Sequence, residues 1–464
     1  MSEIKELPQS WSIVKLGELC LEKEGLRRGP FGSAIKKEFF VPSGFKVYEQ
    51  GNAIYNDPNR GKYFINEKKY NELINFKVQP NDLIVSCSGT LGRIAQIPTN
   101  AKEGIINQAL LRIRLVDDII LIKYFLFFFR SEQFQRKIFD QSQGTAMTNL
   151  IGIKDFKEIE FSLPPLPEQH RIVAKIEELF SSLDKGIESL KTAQKELVIY
   201  RQSVLKWAFE GKLTNKNVVD GELPKGWKVK LISDVAKINP VLPDKGSIDR
   251  NLEIQFLPMK LVEEIVNKIH LTETRKFIDV LKGSYTPFID GDIIFAKVTP
   301  CMENGKIAIV NNLKNRIGFG SSEFHVLRCS EEILNRYLHR FIVQDVFRNQ
   351  AQRAMTGAVG LRRVPKQFIE NYSIPIPPTI VEQNKIIEEI ESRLSVCDKI
   401  EEIISTSLLQ AEALRQSILK KAFEGKLVPQ DPNDEPASKL LERIKVERIK
   451  NQPVKKVKEK KEKI

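Results

Sequence analysis

Long apolar runs are missing from this chain. The longest, Ile119 to Phe129, is 11 residues and carries Lys123. That is short of the roughly 20 residues needed to cross a bilayer, so it reads as a buried helix and no membrane role is expected. The opening Met1-Ser2-Glu3-Ile4-Lys5-Glu6 has no apolar signal core, and a cytoplasmic protein is expected. Cysteine is scarce: Cys20, Cys87, Cys301, Cys329 and Cys397 lie far apart with no Cys-x-x-Cys. A zinc ribbon or redox pair is thereby excluded, and an odd, scattered set suits a reducing compartment. The four histidines, His170, His270, His325 and His339, lack metal-ligand spacing. His325 on an apolar strand and His339 beside Tyr337 and Phe341 read as satisfied core residues. Neither GxxxxGK[ST] nor GxGxxG occurs, and Gly318-Phe319-Gly320 reads as a turn. The Pro-Pro pairs at 164–165 and 377–378 have no Asn or Asp before them with an aromatic after, as a base-methylating loop would. Pro243-Asp244 with Glu253 and Gln255 is an incomplete nuclease pattern with no counterpart in the other half of the chain. No catalytic centre and no metal site are expected.

What the chain has is positive charge and repetition. Its 464 residues, at roughly 150 per domain, suggest two to four units. The 73 Lys and Arg against 60 Asp and Glu leave +13, which favours anionic partners, nucleic acid first. The run Lys455 to Lys463, with six Lys and two Glu, supplies +4 of it. Arg201-Gln-Ser-Val-Leu-Lys-Trp-Ala-Phe-Glu-Gly-Lys-Leu213 returns as Arg415-Gln-Ser-Ile-Leu-Lys-Lys-Ala-Phe-Glu-Gly-Lys-Leu427, with 11 of 13 positions identical at an offset of 214. Leu163-Pro-Pro-Leu-Pro-Glu-Gln169 echoes Ile376-Pro-Pro-Thr-Ile-Val-Glu-Gln383, and Leu7-Pro-Gln-Ser-Trp11 echoes Leu223-Pro-Lys-Gly-Trp227. Weaker echoes link Asp82-Leu-Ile to Asp292-Ile-Ile. The organisation is A–B–A′–B′, a duplication with strongly diverged A segments and preserved B segments.

The B segments read as long helices. Ile172, Ile176, Leu179, Leu183, Ile187, Leu190 and Leu197 step by three and four, as do Ile386, Ile390, Leu394, Cys397, Ile404, Leu408, Ala411 and Ile418. Each should run roughly 35–40 residues, or about 55–60 Å, with Gly211 and Gly425 as C-caps and Gly186 a candidate kink. A single apolar stripe on so long a helix needs a partner, and an antiparallel pairing of the two copies is expected. The A segments show short β-rich runs around Asp82, Ile94, Ala109, Asp292, Lys306 and Phe324, plus apolar helices near Ile122–Phe134 and Leu334–Phe347. Strands and helices do not alternate strictly. The expected class is α+β: two mixed α/β domains (1–162 and 216–376) joined by two long antiparallel coiled-coil helices (163–215 and 377–428), with a charged tail (429–464) that begins as helix and ends in disorder.

Candidate binding residues lie in the A segments. The first holds the basic loop Arg27, Arg28, Ser33, Lys36 and Lys37, whose glycines permit close backbone approach. It also has Ser88 and Arg93 around a glycine turn, and an amide- and hydroxyl-rich stretch with Gln141, Gln143, Thr145 and Asn149. The second holds Lys297, Thr299, Asn304, Lys306, Arg348, Gln352, Arg353, Arg362 and Arg363. Lys and Arg neutralise phosphates, while amides and hydroxyls read base edges. Two diverged readers on a preserved helical frame imply a gapped DNA site: two different half-sites at a fixed separation. The alternative is a coiled-coil scaffold for protein assembly with protein-binding heads.

This combination resembles the specificity subunit of type I restriction–modification systems. The resemblance rests on Gly29-Pro-Phe-Gly-Ser33, the Leu/Ile-Pro-Pro…Glu-Gln entries, both Arg-Gln-Ser…Gly-Lys-Leu copies and the paired Leu-Pro-x-x-Trp starts, and it covers about residues 7–450. Gly-Pro-Phe-Gly-Ser is absent from the second A segment. The family implies two target-recognition domains that read double-stranded DNA, with helical regions that set the spacing. The chain itself is then non-catalytic and binds no cofactor. Its implied partners are two modification subunits, which use S-adenosylmethionine to methylate adenine N6, and restriction subunits, which use ATP and Mg. By the same resemblance Arg201, Gln202, Phe209, Arg415, Gln416 and Phe423 are candidate docking residues for the modification subunits.

Overall fold

The computed structural model describes residues 7–31, 34–139, 150–215, 217–243, 245–265, 267–358 and 360–450. They form two compact units that cut across the linear segmentation. One unit comprises residues 1–188 and 407–464, the other residues 189–406. The reason is the antiparallel packing of the two long helices, Leu166–Phe209 and Ile380–Phe423. Each unit keeps half of both.

In the first unit a four-stranded antiparallel sheet runs in the order Leu26–Arg28, Leu110–Ile113, Leu83–Ser86, Ile94–Gln96. Side chains alternate across a strand. Leu83 and Val85 therefore face the helices Ile122–Arg130 and Glu132–Ile138, while Ile84 faces a second sheet through Ala95, Ile106 and Tyr48. Both faces are covered, so the strand reads as a continuous apolar run. The second sheet orders Phe40–Val41, Phe64–Ile65, Phe45–Tyr48 and Gly104–Ile106, its last pair parallel. Ser12–Lys15 pairs antiparallel with Glu160–Leu163 and closes the domain.

The second unit repeats the first sheet strand for strand: Ala236–Ile238, Phe324–Cys329, Ile293–Ala296, Ile307–Ile309. Its second sheet shares three strands with the first copy, Glu273–Lys276, Glu253–Leu257 and Ile317–Gly320, the last two parallel. The fourth differs. Phe40–Val41 adds beside Phe64–Ile65 in one copy, whereas Thr286–Ile289 adds beside Ile317–Gly320 in the other. Lys228–Leu231 with Ser373–Ile376 is the matching closing pair. The class is α+β, as expected.

The preserved residues make the same contacts twice. Trp11 Nε1 donates to Glu168 at 3.0 Å, and Trp227 Nε1 to Glu382 at 2.9 Å. The Gln169 amide accepts from Leu121 N–H and donates to the Ile119 carbonyl; Gln383 accepts from Leu334 N–H and donates to the Glu332 carbonyl. Gly211 at φ +74° lies against Pro224 and Trp227, and Gly425 at φ +70° against Pro8 and Trp11. A Cβ would come within 2.2 Å of the proline ring at Gly211 and 2.4 Å at Gly425, so both C-caps need glycine for conformation and for space.

The helices run 44 residues each, longer than the expected 35–40: the first begins at Leu166 with Pro167 in its first turn, the second at Ile380, just past Pro378 and Thr379. Gly186 produces no break. In the first unit Ile172 and Ile176 share a core with Ile418, Ala422 and Phe423, and Arg415 pairs with Asp184. In the second unit Leu205, Ala208 and Phe209 share a core with Ile386 and Ile390, and Arg201 reaches Asp398 at 2.6 Å and Glu401 at 3.0 Å. Rising numbers on one helix meet falling numbers on the other, which is the antiparallel arrangement expected.

The tail returns to the first unit. Helix Ala437–Lys450 buries Leu440 and Ile444 in the core that contains Trp11. Ala437 N–H donates to the Ser10 carbonyl at 3.0 Å, and Arg171 bridges Asp434 at 2.6 Å. The charged run 455–463 lies outside the described residues.

Both core histidines are satisfied, as expected. His325 Nε2 contacts the Val364 carbonyl at 2.9 Å, and His339 Nε2 the Ile307 carbonyl at 3.2 Å. Burial, with help from Arg340, pushes His339 down to about 4. Unfolded, it would titrate near 6.5, so the unfolded chain binds the extra proton between these values. The second unit should therefore keep its full stability above about pH 6.5 and lose on the order of 3 kcal/mol as pH falls toward 4. Urea midpoints at pH 7 and pH 5 should diverge in the wild type and converge toward one another in His339→Gln; equal shifts in both proteins would count against this account.

Candidate nucleic-acid interface

The basic loop of the first domain begins on the edge strand Leu26–Arg28 and ends at the surface. Arg27 sits opposite Arg112 on the neighbouring strand. Arg28 donates from Nη2 to the Cys87 carbonyl at 3.2 Å, which ties it to the turn holding Ser88 and Arg93. Gly29 lies so close to the Asn107 carbonyl that a Cβ would sit 1.8 Å from its oxygen, an approach made within the chain. The turn is built by Ser86, whose hydroxyl donates to the Thr90 carbonyl at 2.6 Å and accepts from Arg93 N–H at 2.9 Å. Ser88 and Arg93 are exposed at its rim, as are Lys36 and Lys37 further along the chain. Ser33, Gln141, Gln143, Thr145 and Asn149 lie outside the described residues.

Beneath this surface are two residues that motif reading passed over. Arg112 is fully buried and donates to the backbone carbonyls of Lys77 and, at 3.1 Å, Glu24. Desolvation, with repulsion from Arg114, pushes it down to about 10. Arg114 forks onto buried Asp82 at 2.6 and 2.8 Å and reaches Glu24 at 2.5 Å. Two arginines alternating with leucine and isoleucine in Leu110–Ile113 and its extension were the available signal.

In the second domain the equivalent connection, between Ile293–Ala296 and Ile307–Ile309, runs over residues 297–306 rather than 87–93. It brings together Lys297, Thr299, Asn304 and Lys306, so both copies place polar residues on the same loop. Several are already engaged. Thr299 donates to Glu303 at 3.1 Å and Asn304 to Glu264 at 2.9 Å. The Lys306 ammonium donates to the Val262 carbonyl at 2.9 Å. Arg348 holds the Glu303 carbonyl at 2.6 Å and pairs with Asp345. Arg363 forks onto Glu323 at 2.7 and 2.8 Å and holds that carboxyl below its usual range. Half-buried Lys297, Gln352 and Arg362 and exposed Arg353 complete the set. Gly-Pro-Phe-Gly-Ser has no counterpart here.

The six candidate docking residues are used inside the chain. Phe209 meets Tyr337 and Phe341 edge-on at 5.0 and 5.1 Å, and Phe423 meets Tyr124 and Phe128 at 5.4 and 5.2 Å. Gln202 accepts from Asp345 N–H at 3.3 Å, and Gln416 from Glu132 N–H at 3.0 Å. Arg201 and Arg415 make the interhelix ion pairs already described. Preservation of these residues in both copies is accounted for by one internal contact made twice.

The nuclease fragment does not assemble. Glu253 is exposed and paired with Lys314, Gln255 is buried and donates to the Glu273 carbonyl at 2.6 Å, and Asp244 lies outside the described residues. Among the described residues no cluster of His, Cys, Asp and Glu could hold a metal ion. No helix among them is long and apolar enough to cross a membrane.

One sheet order made twice, with two long helices, is a duplicated architecture. Residues 8–196 and 224–410 each match the type I restriction modification DNA specificity domain, and the chain belongs to that family. It is 40% identical over 269 residues to the type I restriction enzyme EcoAI specificity subunit of Escherichia coli, a match covering 49% of this chain and 45% of the relative. The chain thus spans about half the length of that relative. It is 25% identical over 408 residues to the EcoKI specificity subunit of E. coli strain K12, covering 80% of this chain and 82% of the relative. Among solved structures, an HsdS subunit from Thermoanaerobacter tengcongensis shares the fold with a TM-score of 0.57 at 19% identity, covering 92% of this chain and 99% of that one. A chain from a type I R-M system, solved in a study of complex assembly and conformational transition, gives 0.63 at 19% identity, covering 91% and 100%.

Proposed function

We propose that this chain is the DNA-reading subunit of a type I restriction–modification complex. Each recognition domain reads one half of a gapped target, and the helical pair sets the spacer. The observation that carries this is the pairing of one repeated sheet order with unlike loops: residues 87–93 and 297–306 occupy the same connection yet differ in length and chemistry. The frame beneath them, through Trp11–Glu168 and Trp227–Glu382, does not differ. Such a protein reads DNA and leaves the chemistry to others. Two modification subunits, carrying S-adenosylmethionine, would methylate an adenine in each half-site, and restriction subunits would use ATP and Mg to cleave. Docking of modification subunits falls to the exposed faces of the helices, since Phe209 and Phe423 are buried. All of this takes place in the cytoplasm. The scaffold alternative draws no support from a family defined by DNA specificity.

The test is a genome-wide map of methylated adenines in cells with and without the gene. The expected result is a two-part motif with a fixed gap, present only with the gene. Methylation unaffected by deletion would refute the reading.

A further inference from the structure

We propose that Arg93 and Arg130 form a phosphate-binding site in the first recognition domain that receives the backbone of the bound DNA. This rests on the DNA-reading function proposed above and assigns it a place. A cavity of about 220 Å³ is lined by Ala53, Ile54, Asn56, Gly92, Arg93, Ile94, Arg130 and Gln135. Two guanidiniums and two amides face one small space with no carboxylate among its lining residues. With no acid on the lining to offset two arginines, the site favours an anion. Among the described residues neither arginine forms an ion pair. The hydrogen bond of the Arg130 side chain runs to the Ile94 carbonyl at 3.4 Å, which leaves most of its donors free.

The cavity opens onto a larger groove of about 600 Å³ that shares Asn56 and Arg130 and adds Asn81, Gln96, Thr99 and Lys123. The acid on its wall, Glu177, is held by Lys123 at 2.7 Å. Amide and hydroxyl donors beside two unpaired cations suit a phosphodiester, which takes charge-assisted hydrogen bonds along its length. The site is particular to this domain. Ser131, which caps the helix after Arg130, corresponds to Gln344, and the residue before it is Val343. One domain therefore has a backbone clamp that the other lacks. Arg93 was among the residues expected to bind DNA; Arg130, inside an apolar helix, was not.

The experiment measures binding of random-sequence duplex DNA by the full chain, alone and with its modification subunits, across a salt series. Each phosphate contact contributes about 0.9 to the slope of log K against log salt. Arg93→Gln and Arg130→Gln should each lower the slope, and the pair together by about 0.9, the loss of one phosphate contact, whereas Arg130→Lys should restore most of it. A merely structural role for Arg130 would weaken binding without moving the slope. Unchanged slopes in both variants, with the wild type still binding duplex, would overturn the site while leaving the DNA-reading function intact. Failure of the wild type to bind any duplex would remove both. In a second arm, inorganic phosphate at millimolar levels should compete only weakly; saturable phosphate binding abolished by the variants, with duplex slopes unmoved, would reassign the site to a free anion and overturn the proposal.

Discussion

Replacing residues 1–162 with the corresponding segment of a relative should rewrite one half of the methylated target and leave the other half and the gap as they were. The expectation follows from where the cores lie. The first domain's sheets belong to one compact unit and the second domain's to another, so the reading loops have no common hydrophobic core. The graft must carry its own proline and tryptophan at the positions of Pro8 and Trp11 and its own aromatics at Tyr124 and Phe128, because Gly425, Glu168 and Phe423 receive them. A changed base pair costs about 1–3 kcal/mol, so two or three together should drop the old site roughly 10³-fold. Methylation mapping of the exchange strain reads the result directly. Movement of both halves, or of neither, would show that the two domains do not read separately.

The second large effect is on stability. Asp82→Ala and Asp292→Ala should each cost about 3–5 kcal/mol, the loss typical when one member of a buried ion pair is removed. The two aspartates occupy the same device. Each sits just after a turn residue of positive φ, Asn81 at 72° and Gly291 at 88°. Each accepts the N–H that opens the turn, from Gln79 at 2.7 Å and Ile289 at 2.9 Å. Each takes both prongs of an arginine from the next strand, Arg114 at 2.6 and 2.8 Å or Arg328 at 2.8 Å twice. Without the carboxylate Arg328 is left with no acid partner among the described residues, while Arg114 keeps only the exposed Glu24, which puts Asp82→Ala at the lower end of that range. Denaturant unfolding should show the loss, and hydrogen exchange should confine it to residues 1–188 and 407–450 for Asp82→Ala and to 189–406 for Asp292→Ala. A loss under 1 kcal/mol in either would mean that water reaches the arginine and replaces its partner.

The faint echo between Asp82-Leu-Ile and Asp292-Ile-Ile was visible in the sequence, and this ion pair is its cause. The frame was legible for the same reason. Identical contacts need identical residues, so Glu168-Gln169, Gly211 and their partners 214 positions on kept their chemistry. Strand order was not legible, because strands covered on both faces lose the alternation that marks an inside and an outside, as Leu83-Ile84-Val85 does. The extra strands Phe40–Val41 and Thr286–Ile289, on opposite edges, left no echo at all. Candidate binding residues were legible as a loop but not one by one. Lys306 and Lys297 look alike in a string of letters, and only three-dimensional neighbours show that the first already holds the Val262 carbonyl. Arg130 was hidden at the end of Ile122–Arg130, where the aromatic residues drew the reading toward a core helix.

The return of the chain to its first unit inverts the order of maturation. The second unit is one uninterrupted stretch, 189–406, and has every residue it needs as soon as that stretch has been synthesised. The first, though made earlier, lacks Phe423, Leu440 and Ile444 until more than two hundred residues later. Throughout that interval Tyr124, Phe128 and Trp11 wait without their cover. The nascent chain is thus greasiest at its oldest end, and a chain arrested once residue 406 has left the ribosome would hold out a finished second head and a sticky, half-built first one, the species a chaperone would be expected to find.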